Sequence, residues 1–192
     1  GTTNDLRAVY FADANTGYIG GTNQLLKKTT NGGQIWSTLQ LPVEGQFDTL
    51  FYVLDINFIN QSTGYVLGFF LMENKIWKTI DGGQTWQTQT TGEAHYLNKL
   101  YFLDENNGFA SGGSFGGEIV KTTNGGTSWQ LVYQDIYQTL SITFVNALTG
   151  YVGCEQGRIY RTTDGGNTWN FVWSDASIDV TSINFIDANT GF

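Results

Sequence analysis

The side chains of this chain that could do chemistry are carboxylates set beside aromatic rings. Asp48, Glu73, Glu118, Asp135, Glu155 and Asp175 are interspersed with Phe69, Tyr96, Phe115, Tyr137 and Trp173, and Arg158 adds a guanidinium. Rings lie flat on sugar or alkyl faces while carboxylates accept hydrogen bonds from hydroxyl or ammonium groups, so the combination suits a carbohydrate or a cationic peptide. Glycosidic hydrolysis would require two such acids facing each other about 5 to 9 Å apart across a cleft, and spacing singles out no pair. Other chemistries are poorly served. The single histidine, His95, beside Glu93 and Tyr96, reads as a surface residue, since a metal site needs three or four partners, so no metal is predicted. Gly112 to Gly117 lacks the Lys-Ser/Thr ending of a phosphate loop and reads as a flexible connection, so no cofactor is predicted either. Cys154 is alone and forms no internal disulfide.

Composition narrows the partners. Seventeen acidic and nine basic side chains give a net charge of −8, the wrong sign for nucleic acid or anionic lipid. No apolar run is long enough to cross a bilayer, so direct membrane insertion is not expected. Few charges among many Asn, Thr and Gln fit an extracytoplasmic location. With 15% aromatics, 25 glycines and one proline, the chain favours many short strands joined by glycine turns over helices.

Two alternating repeats supply the framework that must position these groups. The stretch Lys78 to Trp86 recurs at Lys28 to Trp36, Lys121 to Trp129 and Arg161 to Trp169, with its tryptophans 50, 43 and 40 residues apart. That period suits a four-stranded propeller blade. Between these stretches runs a hydrophobic strand ending in a polar turn. Its pairs Val9 and Phe11, Ile56 and Phe58, Leu100 and Phe102, Ile142 and Phe144, and Ile183 and Phe185 mark a buried face at period two. Gly17, Gly64, Gly108, Gly150 and Gly191 close the turns, where positive φ is expected. Each unit reads as strand A (6–11 in the first unit), strand B (18–22), strand C (25–30), an Asn-Gly-Gly or Asp-Gly-Gly turn, and strand D (36–41).

Thr79, Asp81, Gly83, Thr85 and Trp86 resemble the Asp-box, or BNR repeat, in which Ser or Thr, Asp, Gly, Thr and Trp stand at fixed spacing. Thr162, Asp164, Gly166 and Trp169 fit equally well. Thr29, Asn31, Gly33 and Trp36, and likewise Thr122, Asn124, Gly126 and Trp129, place Asn at the acidic position. Together with the strand-turn motif, the whole chain is similar to the β-propellers of the photosystem II stability and assembly factor type. The resemblance implies a propeller fold and a role in assembly or scaffolding. Sialidases share the box, but that resemblance would imply three arginines from different blades; this chain has only Arg7, Arg158 and Arg161, and Arg161 stands where the other units have Lys28, Lys78 and Lys121 and reads as structural, which disfavours sialidase activity.

Because strands alternate direction, the boxes share a face with the A–B turns, while the B–C and D–A loops carry the acids and rings on the other. The boxes are read as structural: a short acceptor closes the turn, Gly83 supplies the unusual backbone angle, and Trp86 packs between sheets. The fold class is therefore all-β, a propeller of four-stranded antiparallel blades at about 5–50, 51–96, 97–138 and 139–178, with a fifth begun at 179–192. A fragment of a larger ring, of about seven blades, is expected, with open edges that favour self-association. The function expected is a non-enzymatic module recognising a protein or glycan through the B–C and D–A loops, the alternative being a polysaccharide-acting glycoside hydrolase using paired carboxylates there.

Overall fold

The structure, a computed structural model, describes residues 2–42, 51–70, 73–91, 96–114, 116–135, 137–186 and 189–192. Asp48 and Phe115 lie outside the described residues. The described residues form four antiparallel sheets of four strands each, every sheet in simple sequential order. The first contains β1 (Leu6–Phe11), β2 (Gly17–Gly21), β3 (Leu26–Thr29) and β4 (Ser37–Thr38). The second contains β5 (Phe51–Phe58), β6 (Gly64–Phe70), β7 (Glu73–Thr79) and β8 (Gln87–Gln89). The third holds β9 (Leu97–Phe102), β10 (Gly108–Gly112), β11 (Gly117–Thr122) and β12 (Gln130–Asp135). The fourth holds β13 (Thr139–Phe144), β14 (Gly150–Cys154), β15 (Ile159–Thr162) and β16 (Asn170–Trp173). They group into two compact units, Gly1–Thr91 and Gly92–Phe192. The expected strand D is short in the first sheet: β4 pairs only through Lys27 with Thr38 and Lys28 with Ser37.

Each unit is held by one sheet packing face to face on the next. In the first, Tyr18 of β2 stacks on Phe58 of β5 with centroids 3.9 Å apart, and Gly20 leaves the space that Val53 and Ile56 fill. Tyr18, Leu26, Phe51 and Val53 are fully buried there. In the second unit Phe109 of β10 stacks on Phe144 of β13 at 4.6 Å, beside the buried Ile119, Val152 and Tyr160. Burial of such side chains is worth about 1.5 to 3 kcal/mol each and dominates the stability of either unit.

Two expectations are corrected. Ile56, Phe58, Leu100, Phe102, Ile142 and Phe144 are buried, but Val9 is 69% and Phe11 45% exposed; β1 buries Ala8 instead, and Tyr10 packs against the second sheet. Ala8 and Tyr10 share the face of β1 that meets β5, and the Val9 and Phe11 face is open. The glycines closing the A–B turns do not have positive φ. They are glycine because the ring of the strand-A Phe lies over them: a Cβ at Gly64 would sit 2.3 Å from Phe58 Cδ1, and one at Gly108 2.4 Å from Phe102 Cδ1. In the C–D turns, by contrast, the paired glycines are left-handed, as at Gly82 (φ 71°) and Gly83 (φ 88°).

Candidate functional site

The two ends of the sheets are chemically different. At one end the A–B and C–D turns are tied together, as Gly82 N–H donates to Ser62 C=O at 2.8 Å and Gly165 N–H to Leu148 C=O at 2.9 Å. Thr79 Oγ1 organises its turn by accepting from Gly83 N at 2.8 Å and donating to Asp81 Oδ1 at 2.8 Å. Asp81 accepts from Thr85 N at 2.9 Å and from Thr85 Oγ1 at 2.6 Å. The Thr85 hydroxyl, then its backbone N–H, hold the Asp81 carboxyl down to about 2, and the same set around Thr168 holds Asp164 well below the usual carboxylate range. Asn31 and Asn124 accept the matching backbone bonds, from Ile35 N and Ser128 N, each at 2.9 Å. An amide and a carboxylate thus do one task, closing the turn. Trp86 is half buried, edge-on to Phe58 of its own sheet at 6.3 Å, and donates its indole N–H to Gly83 C=O at 3.1 Å. Trp169 alone of the two is edge-on to Phe rings of both its own and the preceding sheet, Phe144 at 5.8 Å and Phe109 at 6.4 Å.

The strand-C cations complete this end. Lys28 Nζ donates to Gly82 C=O of the next sheet at 2.7 Å, joined by Tyr18 OH at 3.2 Å. Lys121 Nζ reaches Gly165 C=O and Asn167 Oδ1, both at 2.8 Å. Arg161, in the same strand position, lies over the Tyr151 ring at 5.7 Å.

At the opposite end the second unit has a recess of about 300 Å³ lined by Tyr96, Gly113, Ser114, Gly116, Glu118, Gln134 and Asp135. Tyr96 precedes β9 in a left-handed conformation (φ 61°), unusual for an aromatic residue, and its C=O accepts from Gly113 N at 3.0 Å. The described glycines of this loop have backbone close against them. A Cβ at Gly113 would lie 1.6 Å from Gly116 C=O, and one at Gly112 2.4 Å from Tyr96 C=O. Glu118 opposes Gln134, and Gly117 opposes Asp135, across the β11–β12 ladder, so both acids stand at its loop end with their side chains on opposite faces of the sheet.

Asp135 also joins the third sheet to the fourth: its Oδ2 accepts from Tyr133 OH at 2.8 Å and from Tyr160 OH. Burial first, then hydrogen bonding with Tyr160 and Asp135, raises the Tyr133 hydroxyl far above its ordinary value, so it stays a donor. Next to this network, Arg158 stacks on Tyr137 at 4.0 Å and donates Nη2 to its hydroxyl at 3.2 Å. Burial pushes the Cys154 thiol up to about 12, so it is no nucleophile at neutral pH.

Of the residues singled out by sequence, Tyr96, Glu118 and Asp135 thus share one recess, and Tyr137 and Arg158 form an adjoining pair. Glu155 begins a 3-10 turn, Glu155–Gly157, and its N–H donates to Gln138 C=O at 3.1 Å. Asp175 accepts from Ser177 N and Oγ, at 3.0 and 2.6 Å, closing its own turn. Trp173 is 47% exposed and lines a separate apolar groove. Phe69 and Glu73 belong to the first unit, where Glu73 pairs with Lys75 at 3.3 Å. Ser114, Gln134, Tyr133 and Tyr160 were not singled out. The facing of Glu118 and Gln134 would have pointed to Gln134 had the ladder register been known.

Among known proteins, the model for the photosynthesis system II assembly factor YCF48 family matches residues 46–191. The chain belongs to this family. The photosystem II assembly lipoprotein Ycf48 of Synechococcus sp. (strain CC9902) is 28% identical over 134 residues, covering 66% of this chain and 36% of that protein. The chain therefore spans about a third of the length of that curated relative. A solved YCF48 bound to a D1 peptide superposes with TM-score 0.58 at 14% identity, over 100% of this chain and 90% of that one. The GH74 enzyme of Niastella koreensis gives TM-score 0.76 at 19% identity, over 96% of this chain and 32% of that one. At these identities the solved structures show the β-propeller fold alone. No helix among the described residues is long and apolar enough to cross a membrane.

Proposed function

We propose that this chain is a non-enzymatic propeller module that binds an extended segment of a protein partner at its loop end, as part of an assembly process. The observation that carries this is the recess in which Tyr96, Glu118 and Asp135 meet. An aromatic residue beside a carboxylate accommodates a Lys or Arg side chain, its stem on the ring and its cation at Glu118. Family membership supports a protein partner, since a solved YCF48 carries a D1 peptide and the Synechococcus relative is described as an assembly lipoprotein. That description also supports an extracytoplasmic location.

Fluorescence anisotropy with labelled peptides tests the ligand. Peptides with a central Lys or Arg should bind, acidic peptides should not, and Glu118→Lys should weaken binding about tenfold, the loss of roughly 1.4 kcal/mol of charge complementarity. Equal binding of acidic peptides, or an unaffected Glu118→Lys variant, would refute this reading. Saturable binding of a neutral oligosaccharide in the recess, without peptide binding, would replace it with a glycan-binding one.

A further inference from the structure

We propose that Asn31 is a site of spontaneous covalent modification: its side chain loses ammonia to the backbone of Gly32, and water converts the residue to an acid. The inference is independent of the peptide recess. Three asparagines of the chain precede glycine, namely Asn31, Asn107 and Asn124. Glycine leaves its amide nitrogen unhindered, so that nitrogen can attack the amide carbon of the preceding side chain. A nitrogen–carbon bond forms, the bond from that carbon to Nδ2 breaks, and Nδ2 departs as ammonia with the glycine's amide proton. Water then opens the resulting five-membered imide at one of its two carbonyls, giving aspartate or isoaspartate.

Asn31 and Asn124 stand in the same local sequence, Lys-Thr-Thr-Asn-Gly-Gly, so their intrinsic reactivity is equal and only the fold can separate them. Much of their surroundings is alike. Gly32 N–H donates to Asn15 C=O and Gly125 N–H to Asn106 C=O, both at 2.9 Å. Asn31 Oδ1 accepts from Thr29 Oγ1 and Ile35 N, each at 2.9 Å; Asn124 Oδ1 accepts from Thr122 Oγ1 at 3.0 Å and Ser128 N at 2.9 Å. The difference lies at the leaving group. Asn124 Nδ2 is tied to Ser128 Oγ at 2.9 Å, whereas residue 35 is Ile and has no hydroxyl, and among the described residues Asn31 Nδ2 has no acceptor. Swinging the amide carbon onto the glycine nitrogen therefore breaks one bond fewer at Asn31. Asn107 is held more firmly than either. Its Nδ2 donates to both Asp104 oxygens, at 3.1 and 2.9 Å, and Gly108 is paired on both sides within the third sheet. Exposure alone gives the opposite order, since Asn124 is exposed and Asn31 only partly so.

The two products have different consequences. Aspartate is what the second and fourth boxes carry, where Asp81 and Asp164 accept the matching backbone bond, from Thr85 N at 2.9 Å and Thr168 N at 3.0 Å. Aspartate at position 31 thus leaves the turn closed and adds a charge. Isoaspartate lengthens the main chain by one carbon, which pulls Gly32 N–H from Asn15 C=O and Gly33 N–H from Thr29 Oγ1. The reaction runs one way, because an ionised carboxylate resists attack by an amide nitrogen, and the box holds its carboxyl ionised, as at Asp81.

Peptide mass spectrometry on the full chain, held folded in mildly alkaline buffer and sampled over time, tests this. Conversion should appear at Asn31 before Asn124 and Asn107. Ile35→Ser, at a position 69% exposed, gives Asn31 the acceptor that Ser128 gives Asn124. It should slow conversion at Asn31 about fivefold, the worth of one hydrogen bond. Ser128→Ala, likewise on the surface, should speed conversion at Asn124 by a similar factor. In strong urea, with the fold removed, Asn31 and Asn124 should react at one rate. Conversion at Asn31 no faster than at Asn124 in the folded chain overturns the proposal, as does an Ile35→Ser variant that reacts like the parent while keeping its circular dichroism spectrum. Should Ile35→Ser lose that spectrum, Ser128→Ala decides: an unchanged rate at Asn124 overturns the leaving-group argument.

Discussion

Asp81 and Asn124 stand at the same point of two turns and accept the same backbone bond, from Thr85 N and Ser128 N. The difference is one of charge, and it makes only the acidic copies pH-sensitive. Asp81 is held at about 2 against an ordinary 3.8, so its ionised form contributes stability at pH above the ordinary value. That contribution is lost as pH falls from 3.8 through about 2. Melting temperatures measured from pH 6 down to about 2 should therefore fall less steeply in Asp81→Asn than in the parent. The amide is accommodated, since Asn124 Nδ2 donates to Ser128 Oγ at 2.9 Å where Asp81 receives the Thr85 hydroxyl. Parallel curves would show that the turn carboxylates contribute nothing to folding. At this scale the sequence was legible for the turns, because Thr, Asp or Asn, and Gly each satisfy a local backbone demand. It was less legible for the recess. Whether Gln134 or Ser114 lines it depends on ladder register and on the left-handed backbone at Tyr96, and neither is encoded in residue type.

Strands A and B are joined by a glycine whose missing side chain is replaced by a ring from across the ladder. Gly64 pairs with Phe58, and Gly150 with Phe144. Gly64→Ala should therefore cost about 1 to 3 kcal/mol through overpacking, read as a lower urea midpoint with an unchanged slope. An unchanged midpoint would mean that the Phe58 ring moves aside freely. The period-two pattern identified the strands, and the sheets contain them. It could not say which face of β1 is covered, because Val9 and Phe11 repeat the pattern of Ile56 and Phe58 without a sheet packed on them. Periodicity reports that a strand has two unlike faces; packing decides which one is dry.

The whole chain has a net charge of −8, and two of its acids line the recess. A basic peptide should therefore bind more weakly as salt rises from about 0.05 to 0.5 M, where the screening length shrinks from roughly 14 to 4 Å. An affinity indifferent to salt would assign binding to the rings alone. The repeat architecture was readable over the full length because fourfold recurrence of one turn restricts the fold. The partner was not, since a propeller scaffold serves unrelated ligands and only the loops distinguish them. The bond from Lys28 to the Gly82 carbonyl carries a consequence for how such a chain can change over generations. Its acceptor belongs to the main chain and survives every side-chain replacement that keeps the turn's shape. Drift from Asp to Asn within the turn leaves the neighbouring sheet's lysine its partner, so copies of the unit can diverge in sequence while still recognising one another.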